Sequence, residues 1–230
     1  MNRVQIKICG VRSLEEAKAA LTFGADALGF NFWPISARYI SPEYAIEILD
    51  RLPELKYAVG VFVDEEESRI ESIVRQLKLA AIQLHGNETP EFCTRFSSVR
   101  VIKALRVGAN FDPRSVTEYP VDSILLDTEV KGSYGGTGRP FNWAMALEAK
   151  KYKPIILAGG LTIENVVDAI EYVRPPAIDV CSGVEAEPGR KDLDKLRRFI
   201  AEATNVNSLA SEHFSNVLSS STSMRRPFDI

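Results

Sequence analysis

Runs rich in Val, Ile and Leu punctuate the chain at 4–9, 27–32, 57–63, 79–84, 99–105, 121–126, 154–158 and 177–181. Between them apolar residues recur at helical spacing. SLEEAKAALTFG predicts a helix with Ser13 as N-cap, Glu16 completing a capping box and Gly24 as the stop. SPEYAIEILDRL predicts another, capped by Ser41 with Pro42 at its first position. EEESRIESIVRQLK, TPEFCTRFSS, FNWAMALEAKKY, TIENVVDAIEYVR and RKDLDKLRRFIAEA repeat the theme, while FDPRSVTEYP carries it weakly. Strands alternating with helices imply a parallel sheet, and strands apolar along their whole length imply that both faces are covered.

About eight strand–helix units predict an α/β fold, a single-domain (β/α)8 TIM barrel over residues 1–206. A doubly wound open sheet is the rival, but Gly10-Val11-Arg12 does not supply the glycine-rich turn expected after its first strand. From 207 to 230 the sequence is Ser-rich without sustained periodicity and reads as a disordered C-terminal tail.

Composition narrows the function classes. A net charge of −3 offers no basic field for nucleic acid or an anionic membrane surface. No apolar stretch approaches the roughly 20 residues of a membrane-spanning helix, and no signal-like segment opens the chain, so a cytoplasmic protein is expected. Cys9, Cys93 and Cys181 are scattered, and His85 and His213 lie far apart, which disfavours a disulfide framework or structural zinc.

In such a barrel the chemistry sits at the carboxyl ends of the strands. Alternation puts Lys7 and Cys9 on the inner face of the first strand. The ammonium of Lys7 is expected to favour a Cys9 thiolate, a basic or nucleophilic sulfur. A small buried hydrophobe is the other reading of Cys9. Asp127 ends the sixth strand among apolar neighbours, which raises a carboxyl pKa and makes it a candidate general acid, or else a loop-pinning aspartate. LAGGL at 157–161 and CSGVE at 181–185 leave backbone N–H groups open after the seventh and eighth strands, where such barrels hold phosphate.

Arg38, in PISARYIS, is either a carboxylate grip or a surface arginine. His85, in QLHG, is either a proton carrier or a hydrogen-bonded residue of the mouth. Asp179 faces inward and contacts a substrate amine or hydroxyl, or pairs with Lys7. The glycine-rich KGSYGGTGRPFNW lacks a P-loop ending and reads as a lid over the mouth.

Taken in order, KICG, SARYIS, QLHGNE, LLDT with GGTGRPFNW, LAGGLTIENV and DVCSGVEAEPGRKD closely resemble the phosphoribosylanthranilate isomerase family, over residues 4 to about 204. The resemblance implies an Amadori rearrangement of N-(5-phosphoribosyl)anthranilate in tryptophan biosynthesis, without cofactor or metal. It implies Cys9 as general base and Asp127 as general acid. Arg38 takes the role of carboxylate-binding residue, with Asp179 also at the substrate, and Gly159, Gly160, Ser182 and Gly183 form the phosphate cradle; Lys7 and His85 are expected to join the substrate-binding residues by their places on the inner face and at the strand end. The partner is then a small phosphorylated substrate, with neither nucleic acid nor membrane, and the protein is a monomer or homodimer. One departure stands out: Cys181 occupies a position where the family usually carries serine.

Two other readings are weaker. A histidine-pathway isomerase performs the same rearrangement but uses aspartate in place of Cys9 and carries two phosphate sites in similar halves. A non-catalytic metabolite-binding barrel is expected to lose the base or the acid, and both are present.

Overall fold

The apolar runs become strands that close on themselves. In the computed structural model, which describes residues 3–55, 57–128, 142–213 and 227–228, β1 (Gln5–Cys9), β2 (Ala27–Asn31), β3 (Ala58–Phe62), β4 (Ala81–Leu84), β5 (Arg100–Val107), β6 (Ser123–Thr128), β7 (Ile155–Leu157) and β8 (Ala177–Val180) form a closed parallel barrel in sequence order. Around it lie α1 (Leu14–Phe23), α2 (Pro42–Leu49), α3 (Glu67–Leu77), α4 (Pro90–Cys93), α5 (Trp143–Ala149), α6 (Val166–Val173) and α7 (Leu193–His213). No helix among the described residues is long and apolar enough to cross a membrane.

Alternation along each strand sorts the side chains into two cores. Ile6, Ile8, Leu28, Phe30, Ile82 and Leu126 point outward into the main core between barrel and helices. Inward-facing Ala27, Val59, Ala81, Ile102, Leu125, Ile156 and Ala177 fill the lower barrel. Tyr57 and Phe228 complete that floor, their rings edge-on at 5.4 Å. The Phe228 amide donates to Gln5 Oε1 at 3.0 Å, fixing the C-terminal segment to the start of β1.

The helix signals hold with local changes. Ser13 accepts from the Glu16 amide and Gly24 ends α1 in the left-handed region at φ 110°. Only half of the predicted capping box forms, because the Glu16 carboxylate instead takes the Arg12 and Lys191 amides, each at 2.8 Å. After β5 the weak helical pattern gives a 3-10 helix, Pro113–Glu118. The segment beginning Arg190-Lys191 does not start a helix. Those residues form β10 (Arg190–Lys191), which pairs with β9 (Glu185–Glu187), and α7 begins afterwards.

The domain boundary expected at 206 falls inside α7, whose backbone continues to His213, and Pro227 and Phe228 lie buried against the barrel. The remaining tail positions, 214–226 and 229–230, and most of the predicted lid, 129–141, lie outside the described residues.

Candidate active site

One pocket opens at the carboxyl ends of the strands, and its lining includes Cys9, Asn31, Ser36, Arg38, His85, Asp127, Gly159, Gly160, Asp179, Cys181 and Ser182. Eight of the ten residues singled out from sequence are therefore in its wall. Lys7 lies beneath it, fully buried in the barrel. Gly183 stands directly behind Ser182, so close to the preceding loop that a Cβ there would lie 1.9 Å from the Leu161 carbonyl oxygen.

The turn after β1 explains the cysteine–glycine pair. Gly10 adopts φ 72°, and a Cβ on it would stand 2.8 Å from Arg38 Cγ and 3.2 Å from Cys181 Sγ. Glycine here lets the arginine stem and the second thiol close around Cys9. Gly159 serves the other wall: at φ 72° its added Cβ would press on the Thr128 amide at 2.5 Å and on Asp127 Oδ1 at 2.9 Å.

Buried charges under the pocket form a chain whose directions can be deduced. Lys7 Nζ donates to Asp179 Oδ1 at 2.8 Å and to Gln83 Oε1 at 2.9 Å. An ammonium only donates, so the Gln83 oxygen must face it and the Gln83 amide must face His85. Gln83 Nε2 accordingly donates to His85 Nδ1 at 2.8 Å. The neutral imidazole then carries its proton on Nε2, which lies 3.2 Å from Asp127 Oδ2 in a contact that is close but not aligned as a hydrogen bond. The other Asp127 oxygen accepts from the Thr128 amide at 2.8 Å. Asp179 is thus the partner of Lys7, and His85 is a tied member of the mouth.

This arrangement corrects the expectation for Cys9. The Lys7 charge does pull the thiol's pKa down, but hydrogen bonding with Cys181 and then burial outweigh it, and the Cys9 pKa is pushed well above the ordinary thiol range. Lys7 is already neutralised by Asp179. Its own pKa is raised, since the negative charges of Asp179 and Cys9 overcome the burial that acts against it. Cys181 moves the other way: the bond with Cys9 lowers its pKa, burial opposes this, and the Lys191 and Arg38 charges add to the lowering. Of the two thiols, Cys181 is therefore the more acidic.

Arg38 does grip a carboxylate through its fork, but one of the protein's own. Nε and Nη2 donate to the two oxygens of Glu185 at 3.1 and 2.6 Å, and Nη1 makes no hydrogen bond among the described residues. Lys191 reaches the same carboxylate at 3.2 Å. At the opposite wall Asn165 clamps the glycine turn, taking the Thr162 amide at 2.8 Å and donating to the Gly160 carbonyl at 2.9 Å. The amides of Gly159 and Gly160 donate to no acceptor among the described residues. Those of Ser182 and Gly183 begin a 3-10 turn, whose first N–H groups have no partner within the turn. Three main-chain donors thus belong to pocket-lining residues, with that of Gly183 directly behind, and suit an oxyanion.

Gln83, Glu185 and Lys191 were not found from sequence. Gln83 shares inward parity with His85 two residues later, a signal that was present. Glu185 and Lys191 depend on a hairpin that the helical pattern concealed. Among the described residues no group of three or more His, Cys, Asp or Glu is placed to hold a metal ion.

Comparison with known proteins agrees with this geometry. Residues 6–202 match the family model described as N-(5'phosphoribosyl)anthranilate (PRA) isomerase. The chain is 47% identical over 201 residues to the N-(5'-phosphoribosyl)anthranilate isomerase of Trichlorobacter lovleyi, covering 87% of this chain and 98% of that one. A crystal structure of phosphoribosyl anthranilate isomerase in complex with reduced 1-(o-carboxyphenylamino)-1-deoxyribulose 5-phosphate superposes with TM-score 0.76 at 41% identity, over 88% of this chain and 99% of that one. A structure of monomers generated from the dimeric Thermotoga maritima enzyme gives TM-score 0.75 at 41% identity, over the same shares.

Proposed function

The chain belongs to the N-(5'-phosphoribosyl)anthranilate isomerase family of tryptophan biosynthesis, and from that premise we propose that Cys9 is the general base and Asp127 the general acid of its rearrangement. The observation that carries this assignment is that the thiol and the carboxylate line the same pocket, beside main-chain amides that have no acceptor among the described residues.

The reaction requires two kinds of proton transfer. A proton on the ribose ring oxygen opens the ring to a Schiff base, and Asp127 donates it. His85, with its proton on Nε2 facing Oδ2, orients that carboxyl group. The Schiff base acidifies the C2′ hydrogen, which Cys9 removes, and the resulting enolamine becomes the ketone. Cys9 acts as base in the form where its own proton has passed to a Cys181 thiolate, which leaves the negative charge on the sulfur facing the substrate. Nη1 of Arg38, which has no hydrogen bond among the described residues, binds the anthranilate carboxylate. The amides of Gly159, Gly160, Ser182 and Gly183 hold the phosphate, whose charge suits oriented N–H dipoles. Lys7 and Asp179 act from below by fixing Gln83 and, through it, the His85 tautomer.

Complementation of a tryptophan auxotroph lacking this isomerase tests the assignment. The wild-type chain is expected to restore growth, and the Cys9→Ser and Asp127→Asn variants, expressed as folded protein, are expected to fail. Growth of either variant at the wild-type rate would remove that residue from the mechanism.

A further inference from the structure

The Cys9–Cys181 pair has chemistry that proton transfer does not use. The strand register brings the two residues together: Ile6, Lys7 and Ile8 of β1 lie opposite Ile178, Asp179 and Val180 of β8. One step further along, Cys9 ends β1 and Cys181 directly follows β8, its sulfur 3.2 Å from where a Cβ on Gly10 would stand. Neighbouring strands lie about 4.8 Å apart, inside the Cα separation that a disulfide bridges. Lys7 and Asp179 pair on the inward face, and Cys9 and Cys181 both line the pocket above them. Both are free thiols in the wall of the open pocket, Cys181 the more accessible of the two.

We propose that Cys9 and Cys181 are a peroxide-sensitive thiol pair that closes to a disulfide and switches the isomerase off. The proposal rests on the assignment of Cys9 as general base. The groups facing the pair favour a reactive Cys181. Lys191 Nζ lies 3.8 Å from its sulfur and Arg38 is across the turn. Against them stands Glu185, with Oε1 3.7 Å from the sulfur, but that carboxylate is bonded to both Arg38 and Lys191. Asp179 is likewise neutralised by Lys7.

The chemistry balances with a hydroperoxide as oxidant. The Cys181 thiolate attacks one peroxide oxygen, the O–O bond breaks, and with one proton taken up the products are a sulfenic acid and water. The Cys9 sulfur then attacks the sulfenic sulfur. The S–S bond forms, the S–O bond breaks, and the hydroxyl leaves as a second water with the Cys9 proton. Two thiols are oxidised by two electrons while hydrogen peroxide is reduced to two waters, and a dithiol reductant reverses the change. Cys93 is an internal control, since it is buried and its pKa is pushed up to about 11, mainly by burial.

The test treats the folded full-length protein with hydrogen peroxide, alkylates it under denaturing conditions and reads peptide masses and isomerase turnover before and after dithiothreitol. Expected are a cross-linked peptide pair containing Cys9 and Cys181, an alkylated Cys93, and turnover reduced by about 10²-fold or more, the cost of losing a general base, then restored by dithiothreitol. In Cys181→Ser, which lacks the thiol that attacks peroxide, the same treatment is expected to leave turnover near that variant's own untreated value. Alkylation of both Cys9 and Cys181 after peroxide, or their oxidation without a cross-link, would overturn the proposal. A cross-link in a protein whose reduced form lacks turnover would instead count against the assignment of Cys9.

Discussion

At the floor of the barrel the inward positions carry Ala27, Val59, Ala81, Ile102, Leu125, Ile156 and Ala177, closed by Tyr57 and Phe228. Further along the same strands the inward positions carry Cys9, Asn31, His85 and Asp127. Both ends arise from one alternation, yet they make different demands. The floor needs apolar volume, which many side chains supply, and each one buried adds stability by leaving water. At the mouth every polar atom needs a defined partner, because an unpaired buried charge costs more than a paired one contributes. Lys7 lies between the two regions, and its bonds to Asp179 and Gln83 make a charged layer tolerable inside a barrel.

The largest effect is expected at the mouth. Asp127→Asn keeps the shape and the acceptor for the Thr128 amide but removes the acid, and turnover is expected to fall by about 10²- to 10⁴-fold with the melting temperature nearly unchanged. Steady-state kinetics alongside thermal denaturation checks both halves of that statement. Lys7→Met breaks the layer between the regions. It leaves Asp179 buried without its cation, and a loss of roughly 3–5 kcal/mol is expected in urea denaturation. Adding Asp179→Leu should return most of that loss, since removing both partners is less costly than removing one.

At the floor the pattern reverses. Phe228→Ala is expected to cost about 2 kcal/mol of stability, as for loss of one buried aromatic side chain, and to leave turnover at the wild-type value. A fall in turnover would show that the floor communicates with the mouth. The smallest effect concerns pH. Burial pushes the Glu185 pKa up, but Arg38 and Lys191 outweigh it and hold the carboxyl below the ordinary range. A folded-state pKa below the unfolded value stabilises at neutral pH, and that stabilisation is lost as pH falls through the folded pKa. Unfolding free energy of wild type should therefore decline between about pH 5 and 3, and Glu185→Gln should flatten that decline.

The same contrast explains what was legible in the sequence. All eight barrel strands follow from branched apolar runs, because each run is complete within itself. The inward placement of Lys7 and Cys9 follows from alternation alone. The helices were legible where caps and periodicity agreed, as at Ser41 and Pro42, and misread at Arg190-Lys191, where a charged stretch at helical spacing folds as a hairpin through pairing with Glu185 and Glu187. Phe228 was hidden because a single aromatic makes no period, and its burial depends on Tyr57, which is remote in sequence. The positions of the site were legible from motifs at strand ends, but its charge distribution was not. Cys181 becomes the more acidic thiol through its bond with Cys9, aided against burial by Lys191 and Arg38, which reach it from separate elements, a fact of three-dimensional neighbourhood rather than of spacing.

The central claim is that the Cys9 sulfur removes the C2′ hydrogen of the substrate, and the most direct measurement follows that hydrogen. Substrate deuterated at C2′ would be given to wild-type and Cys9→Ser protein of matched melting temperature, and the rate of C–D cleavage recorded for each. Cleavage is expected to be slower by about 10²-fold or more in the variant. Cleavage at the wild-type rate would contradict it.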